Sequence, residues 1–202
     1  MLLFLSLFVL WAVAHSITAS SRFKAWAGLR MGRRAYDGTY RLLYNGLAVV
    51  TLLPVLIAGA LALPQRVLWE VGQPLSLVLV GMQLIGFVGL GISLLQTDIM
   101  RFIGLGQLFR YLRGDDDVNP GPILTTTGTY RLVRHPLYFF SLLVIWFIPV
   151  MTFSLLLFNI ATTVYFWAGS AHEEKRLLET YGERYEAYRR RVPRILPLKI
   201  RS

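Results

Sequence analysis

Long uncharged apolar runs alternate along this chain with short polar stretches rich in arginine. The first run, residues 2–19, has no charge and is long enough at about 1.5 Å per residue to cross a bilayer core. No basic segment precedes it and a basic stretch follows, so it reads as a retained first span rather than a cleaved leader. Residues 20–39 read as a polar basic loop. A second span, 42–63, carries Tyr44, Asn45 and Pro54, and a proline is tolerated there where neighbours satisfy the freed carbonyl. Residues 64–74 form an outer loop with Trp69 as an interfacial anchor. The third span, 75–95, contains Gly81, Gly86, Gly89 and Gly91, small residues that let helices approach closely.

Residues 99–112 mix apolar positions with Arg101 and Arg110, with Arg113 directly after, and suit the membrane interface, and 114–122 is a turn-rich acidic loop. Residues 137–168 are again uncharged. One straight helix over all of them would run about 48 Å, too long for a core of about 30 Å. A break near Pro149, Thr152 and Ser154 makes them a hairpin, with spans at 137–150 and 154–170. Beyond it, residues 172–192 place Leu177, Leu178, Tyr181, Tyr185 and Tyr188 at spacings of three and four, which predicts a cytoplasmic amphipathic helix weakened at Gly182. Pro193 and Pro197 end it, and the tail from Lys199 to Ser202 is placed on anionic headgroups. The predicted fold class is all-α: an integral membrane helical bundle of about five transmembrane helices, forming one domain over residues 1–202.

Composition agrees. Of 202 residues, 55% are hydrophobic and only 16% charged, where a soluble domain carries about 25%. The absence of cysteine excludes disulfides, thiolate metal sites and a cysteine nucleophile. Histidines only at 15, 135 and 172 argue against any metal. The net charge of +10 lies mainly in three blocks: six basic residues at 22–41, five at 101–134 and nine at 175–201. Because these blocks flank apolar spans, they point to membrane topology and not to nucleic acid. The positive-inside rule puts all three in the cytoplasm, with the N-terminus outside.

In that topology one depth collects the polar residues: His15 and Ser16, Tyr44 and Asn45, Gln96 and Asp98, Arg134 and His135, and His172, Glu173 and Glu174. Polar groups inside or beside spans are costly, so such a grouping is a candidate site. Pro136 opens a helix and makes His135 its cap. The free N-terminus of that helix suits an anion. The hairpin returns Glu173 and Glu174 to the same face.

The run Gly-x-Tyr-Arg-x-x-Arg-His-Pro-x-Tyr over residues 128–138 is followed by Glu173-Glu174-x-x-Leu, Tyr181-Gly-x-x-Tyr-x-x-Tyr and Val192-Pro-Arg-x-x-Pro. Together they resemble the C-terminal signature of integral-membrane methyltransferases, the isoprenylcysteine carboxyl and phospholipid N-methyltransferases among them. Phe109-Arg-Tyr-Leu-Arg-Gly114, His15-Ser16 with Lys24, and Tyr40-Arg-Leu-Leu-Tyr44 further resemble the methanethiol S-methyltransferase, nurim and NnrU branch. The resemblance implies an S-adenosyl-L-methionine site in the part 125–197, held by Tyr130, Arg134, His135, Pro136, Tyr138, Glu173 and Glu174. It implies Arg134, His135, Glu174 and His15 as catalytic residues. The expected activity is S-methylation of a small or lipophilic thiol such as methanethiol. Two alternatives are carboxyl O-methylation of an isoprenylcysteine and a non-catalytic membrane protein of the nurim or NnrU kind. Expected partners are membrane lipid and the methyl acceptor.

Overall fold

In the computed structural model, residues 1–121 and 123–198 are described; the predicted headgroup contact of Lys199–Ser202 lies outside them. The expectation of an all-α membrane bundle holds. Helices α1 (Leu2–Ala19), α3 (Arg33–Leu61), α4 (Leu75–Gln96) and α8 (Phe153–Tyr181) are long and apolar enough to cross a membrane, and the chain is a multi-pass membrane protein. A fifth apolar helix, α7 (Pro136–Trp146), has 11 residues and so runs only about 16 Å, roughly half a bilayer core.

Three sequence readings are corrected. The stretch read as a polar loop at 20–39 forms α2 (Ser21–Met31) and the first turns of α3. Ser20 caps α2 by accepting from Phe23 N at 3.3 Å, and the residues that follow, mostly Ala, Leu, Arg, Lys and Met, form helix well whatever their polarity. Gly32, at φ 78°, separates the two helices. Second, no new helix begins at His172. Helix α8 runs unbroken from the membrane to Tyr181, Gly182 breaks it at φ 53°, and α9 (Glu183–Arg191) follows. Third, the turn of the hairpin is not pure coil: β2 (Val150–Thr152) pairs antiparallel with β1 (Val67–Glu70) in the loop expected at 64–74. Strands of three and four residues are too short to show an alternating pattern.

Two compact units divide the chain, one of residues 1–63 and 97–122, the other of 64–96 and 123–202. In the first, α1 packs on α3 through the buried Phe4, Phe8, Val55 and Ala58. Helix α5 (Ile99–Ile103) is fastened to α3 by polar groups, and helix α6 (Leu105–Arg113) approaches α3 closely where Tyr111 lies against Gly38. Asn45 donates to the carbonyls of Phe102 and Ile103 at 2.9 and 2.8 Å, which closes the C-terminus of α5.

In the second unit, α7 lies on the glycine face of α4. A Cβ at Gly86 would sit 2.8 Å from Val144, and one at Gly89 would overlap the ring of Phe140, whereas Gly81 and Gly91 face open space. Close approach is therefore the reason for two of the four glycines. The carbonyls at the end of α7 have no helical partner and no water within lipid, so side chains supply donors. Gln83 Nε2 reaches Val144 O at 2.9 Å and Asn159 Nδ2 reaches Ile145 O at 2.6 Å. At the other end, Gln96 Oε1 accepts from Thr129 N and Oγ1 at 3.1 and 2.7 Å, setting the short 3₁₀ turn Gly128–Arg131 against α4.

Gly89→Ala should destabilise the protein by about 1–3 kcal/mol, through overpacking against Phe140. Gly91→Ala should be neutral or stabilise by up to about 1 kcal/mol, since it only removes a flexible helical glycine. Unfolding in detergent measures both, and equal effects would mean that α4 and α7 do not pack through Gly89.

Candidate functional site

The second unit brings together seven of the residues singled out from the sequence. His135 caps α7 with φ −120° and no side-chain hydrogen bond to the helix, and Pro136 behind it is fully buried at the first helical position. Proline needs no N–H there, and its ring fixes the direction in which the helix leaves the turn. Just before the cap, the backbone N–H groups of Arg134 and His135 donate to Pro193 O and Arg194 O at 2.9 and 3.0 Å. The segment after α9 is thereby drawn along the mouth of α7.

Arg134 makes the largest set of contacts. Its Nε and Nη2 both reach Glu174 Oε1, at 2.7 and 2.6 Å, and its Nη1 donates to Arg189 O at 2.9 Å and Val192 O at 2.5 Å. The second pair satisfies carbonyls at the C-terminus of α9, where a cation also suits the helix dipole. One guanidinium thus joins α7, α8 and α9. Both side chains of the ion pair are nearly buried, at 10% and 11% exposure. Tyr188 adds a parallel tie, donating from its hydroxyl to Tyr130 O at 2.6 Å.

His135 lies between two carboxylates. Its Nδ1 is 3.5 Å from Glu173 Oε2 and its Nε2 is 3.3 Å from Glu174 Oε1. Burial pulls its pKa down, but hydrogen bonding and the charges of Glu173 and Glu174 outweigh it, so the imidazole titrates above the usual histidine value. Tyr138 stacks on the imidazole, with ring centres 5.4 Å apart and 4° between planes, and its hydroxyl donates to Glu173 Oε2 at 3.3 Å. Phe166 stacks on the far face of Tyr138. Glu173 is the more open carboxylate, its side chain 37% exposed.

Sequence reading placed Tyr185 and Tyr188 as packing residues and gave Arg194 no role of its own. Tyr185 is 1% exposed, and its hydroxyl has no hydrogen-bond partner among the described residues. Burial, and next the charge of Glu174, raise its pKa; Tyr188 is pushed up to about 12, chiefly by burial. Both therefore stay neutral donors. The signal for Tyr185 was its place in the Tyr-Gly-x-x-Tyr-x-x-Tyr run, masked by a spacing that also suits a helix core. His172 is exposed on α8. His15 belongs to the first unit, where its Nε2 meets the Tyr44 hydroxyl at 2.6 Å and its ring stacks on Trp11.

Arg134→Met should cost about 3 kcal/mol or more, because it strands the buried Glu174 carboxylate. Proteolysis after Gly182 should rise with it, since α9 loses its tie; an unchanged digestion pattern would refute the clasp. A second expectation concerns pH. With its pKa raised in the fold, His135 contributes stability that is full below about pH 6.5 and is lost as pH rises through the folded value. The stability of the wild type relative to His135→Gln should therefore shrink as pH rises above about 6.5, and a gap that widens would contradict ion pairing.

The family model described as NnrU protein matches residues 3–149. Methanethiol S-methyltransferase 1 of Bradyrhizobium diazoefficiens is 34% identical over 194 residues, which cover 96% of this chain and 65% of that protein. Methanethiol S-methyltransferase 2 of the same organism is 33% identical over 196 residues, 97% of this chain and 71% of its own length. The Protein-S-isoprenylcysteine O-methyltransferase of Schizosaccharomyces pombe is 33% identical over 127 residues, 52% of this chain and 51% of its own. The chain thus spans about two thirds of the length of the bacterial relatives. No solved structure is significantly similar to it. The match over most of its length, on a bundle whose paired arginine and glutamate meet at the mouth of α7, places the chain in the NnrU-like branch of the integral-membrane methyltransferase superfamily.

Proposed function

We propose that this protein is a methyltransferase that uses S-adenosyl-L-methionine to S-methylate a small or lipophilic thiol such as methanethiol. The observation that carries the reading is the site at the mouth of α7, where Glu173 and Glu174 converge with Arg134 and His135 on a helix N-terminus that no side chain caps by a hydrogen bond. The relatives that cover nearly all of the chain bear the matching name.

The donor set fits the proposed cofactor. A zwitterionic amino-acid group needs one anionic and one cationic or N–H partner. Here Glu173 has a partly exposed carboxylate for the ammonium, and the first turn of α7 offers N–H groups to the carboxylate. The unpaired Tyr185 hydroxyl is a further donor awaiting a partner. When bound, S-adenosyl-L-methionine supplies a methyl group on a sulfonium, open to transfer to a nucleophile. Arg134, with all three of its side-chain nitrogens engaged by Glu174 and two carbonyls, orients Glu174 and shapes the site. Glu173 and Glu174 raise the pKa of His135 above the usual histidine value, and in its charged form the imidazolium would favour a thiolate over a thiol. Arg134, His135 and Glu174 are almost excluded from solvent, which suits a transfer in which opposite charges cancel. In this reading the N-terminus is outside and the site faces the cytoplasm.

Carboxyl O-methylation of an isoprenylcysteine is the second reading, supported by the yeast relative over about half of the chain. A carboxylate acceptor arrives ionised and needs no such help from His135.

Calorimetry with purified protein in detergent tests the proposal. The wild type should bind S-adenosyl-L-methionine saturably, and Glu173→Gln should weaken binding about tenfold or more by removing a charge-assisted partner. Tyr185→Phe should weaken it less. Transfer of labelled methyl to methanethiol but not to a prenylated cysteine would select the first reading. A folded wild type that binds no cofactor would leave this chain among the non-catalytic members of its family.

A further inference from the structure

Beside the site, the α7–α8 hairpin carries a groove of about 280 Å³. Phe139, Leu142 and Trp146 line it from α7, Thr163 and Trp167 from α8, and Ile195 with Leu196 close one end. These positions recur at spacings of three and four, so the groove follows the helix axes for about 10 Å, the length of seven residues. Within lipid an apolar groove is no surprise. Its rim, however, is cationic. Arg194 lies over the Trp167 ring at 5.0 Å, donates from Nε to Ser170 Oγ at 2.8 Å and from Nη2 to Trp167 O, and its Nη1 has no partner among the described residues. Arg189, Arg190 and Arg191 are exposed in the last turn of α9, a few residues before it.

We propose that this groove binds one anionic phospholipid, with an acyl chain against Phe139, Leu142 and Trp146 and the phosphodiester on Arg194. Charge complementarity selects the occupant. A guanidinium pinned by its neighbours at the mouth of an apolar groove presents its remaining N–H donors in a fixed direction, which suits a phosphate oxygen. A zwitterionic lipid brings its own cation to the same rim and gains less. The lipid would also bear on the site nearby, because Arg194 O accepts from His135 N and Pro193 O from Arg134 N. A lipid seated on Arg194, Ile195 and Leu196 holds the segment that carries those carbonyls. The inference does not depend on the chain being a methyltransferase.

Native mass spectrometry of the purified full chain, titrated with phosphatidylglycerol or phosphatidylcholine of identical acyl chains, tests it. One phosphatidylglycerol should be retained in clear preference, and Arg194→Gln should reduce that preference about tenfold, as the loss of a charged hydrogen-bond partner does. Arg194→Lys should keep most of it, which separates loss of charge from loss of fold. Leu142→Trp, which fills the groove, should lower retention of both lipids. Equal retention of the two lipids by the wild type, or an undiminished preference in a folded Arg194→Gln, would overturn the proposal.

Discussion

A single buried ion pair holds the functional end of this molecule together. Arg134 and Glu174 stand 40 positions apart in sequence, on either side of a membrane hairpin, and meet where water is scarce. A buried charge pair is not by itself a strong stabiliser, because desolvation offsets most of the attraction. What makes this one consequential is the number of elements it commits. The same guanidinium takes the last carbonyls of α9, so the hairpin, the cap of α7 and the terminal helix are fixed at one point. His135 and Tyr138 then arrange themselves around the carboxylates, as a stack on one side and a row of polar atoms on the other.

The membrane spans were legible because lipid imposes a strong rule: apolar length must match bilayer thickness. The break in the hairpin followed from the same arithmetic, and so did the return of the two glutamates to the face of Arg134 and His135. Where polarity was taken as a sign of loop, as between Ser20 and Thr39, the inference failed. Helix formation there depends on backbone propensity and on the cap at Ser20, which hydropathy ignores. The boundary placed at His172 failed for a related reason. A helix leaving the membrane changes its composition without changing its backbone, and only Gly182 interrupts it.

The site was partly readable. Residue types and order pointed to Tyr130, Arg134, His135, Tyr138 and the two glutamates, but the acceptors of Arg134 are main-chain carbonyls of Arg189 and Val192, which no side-chain pattern reports. Tyr185 shows the converse limit. Its spacing fits a packed helix face equally well, and only burial without a hydrogen-bond partner distinguishes it.

Helix α8 has an implication for how such a chain can vary. Along one unbroken rod it carries Asn159 and Thr163, which hold the end of α7, then Ser170, which holds Arg194, then Glu173 and Glu174. These contacts share a single angular phase. Substitution of the intervening lipid-facing positions leaves that phase intact, but inserting or deleting one residue between Thr163 and Ser170 turns everything beyond by about 100°. The carboxylates would then face away from Arg134 while Asn159 stayed in place. In α8, length is a tighter constraint than composition.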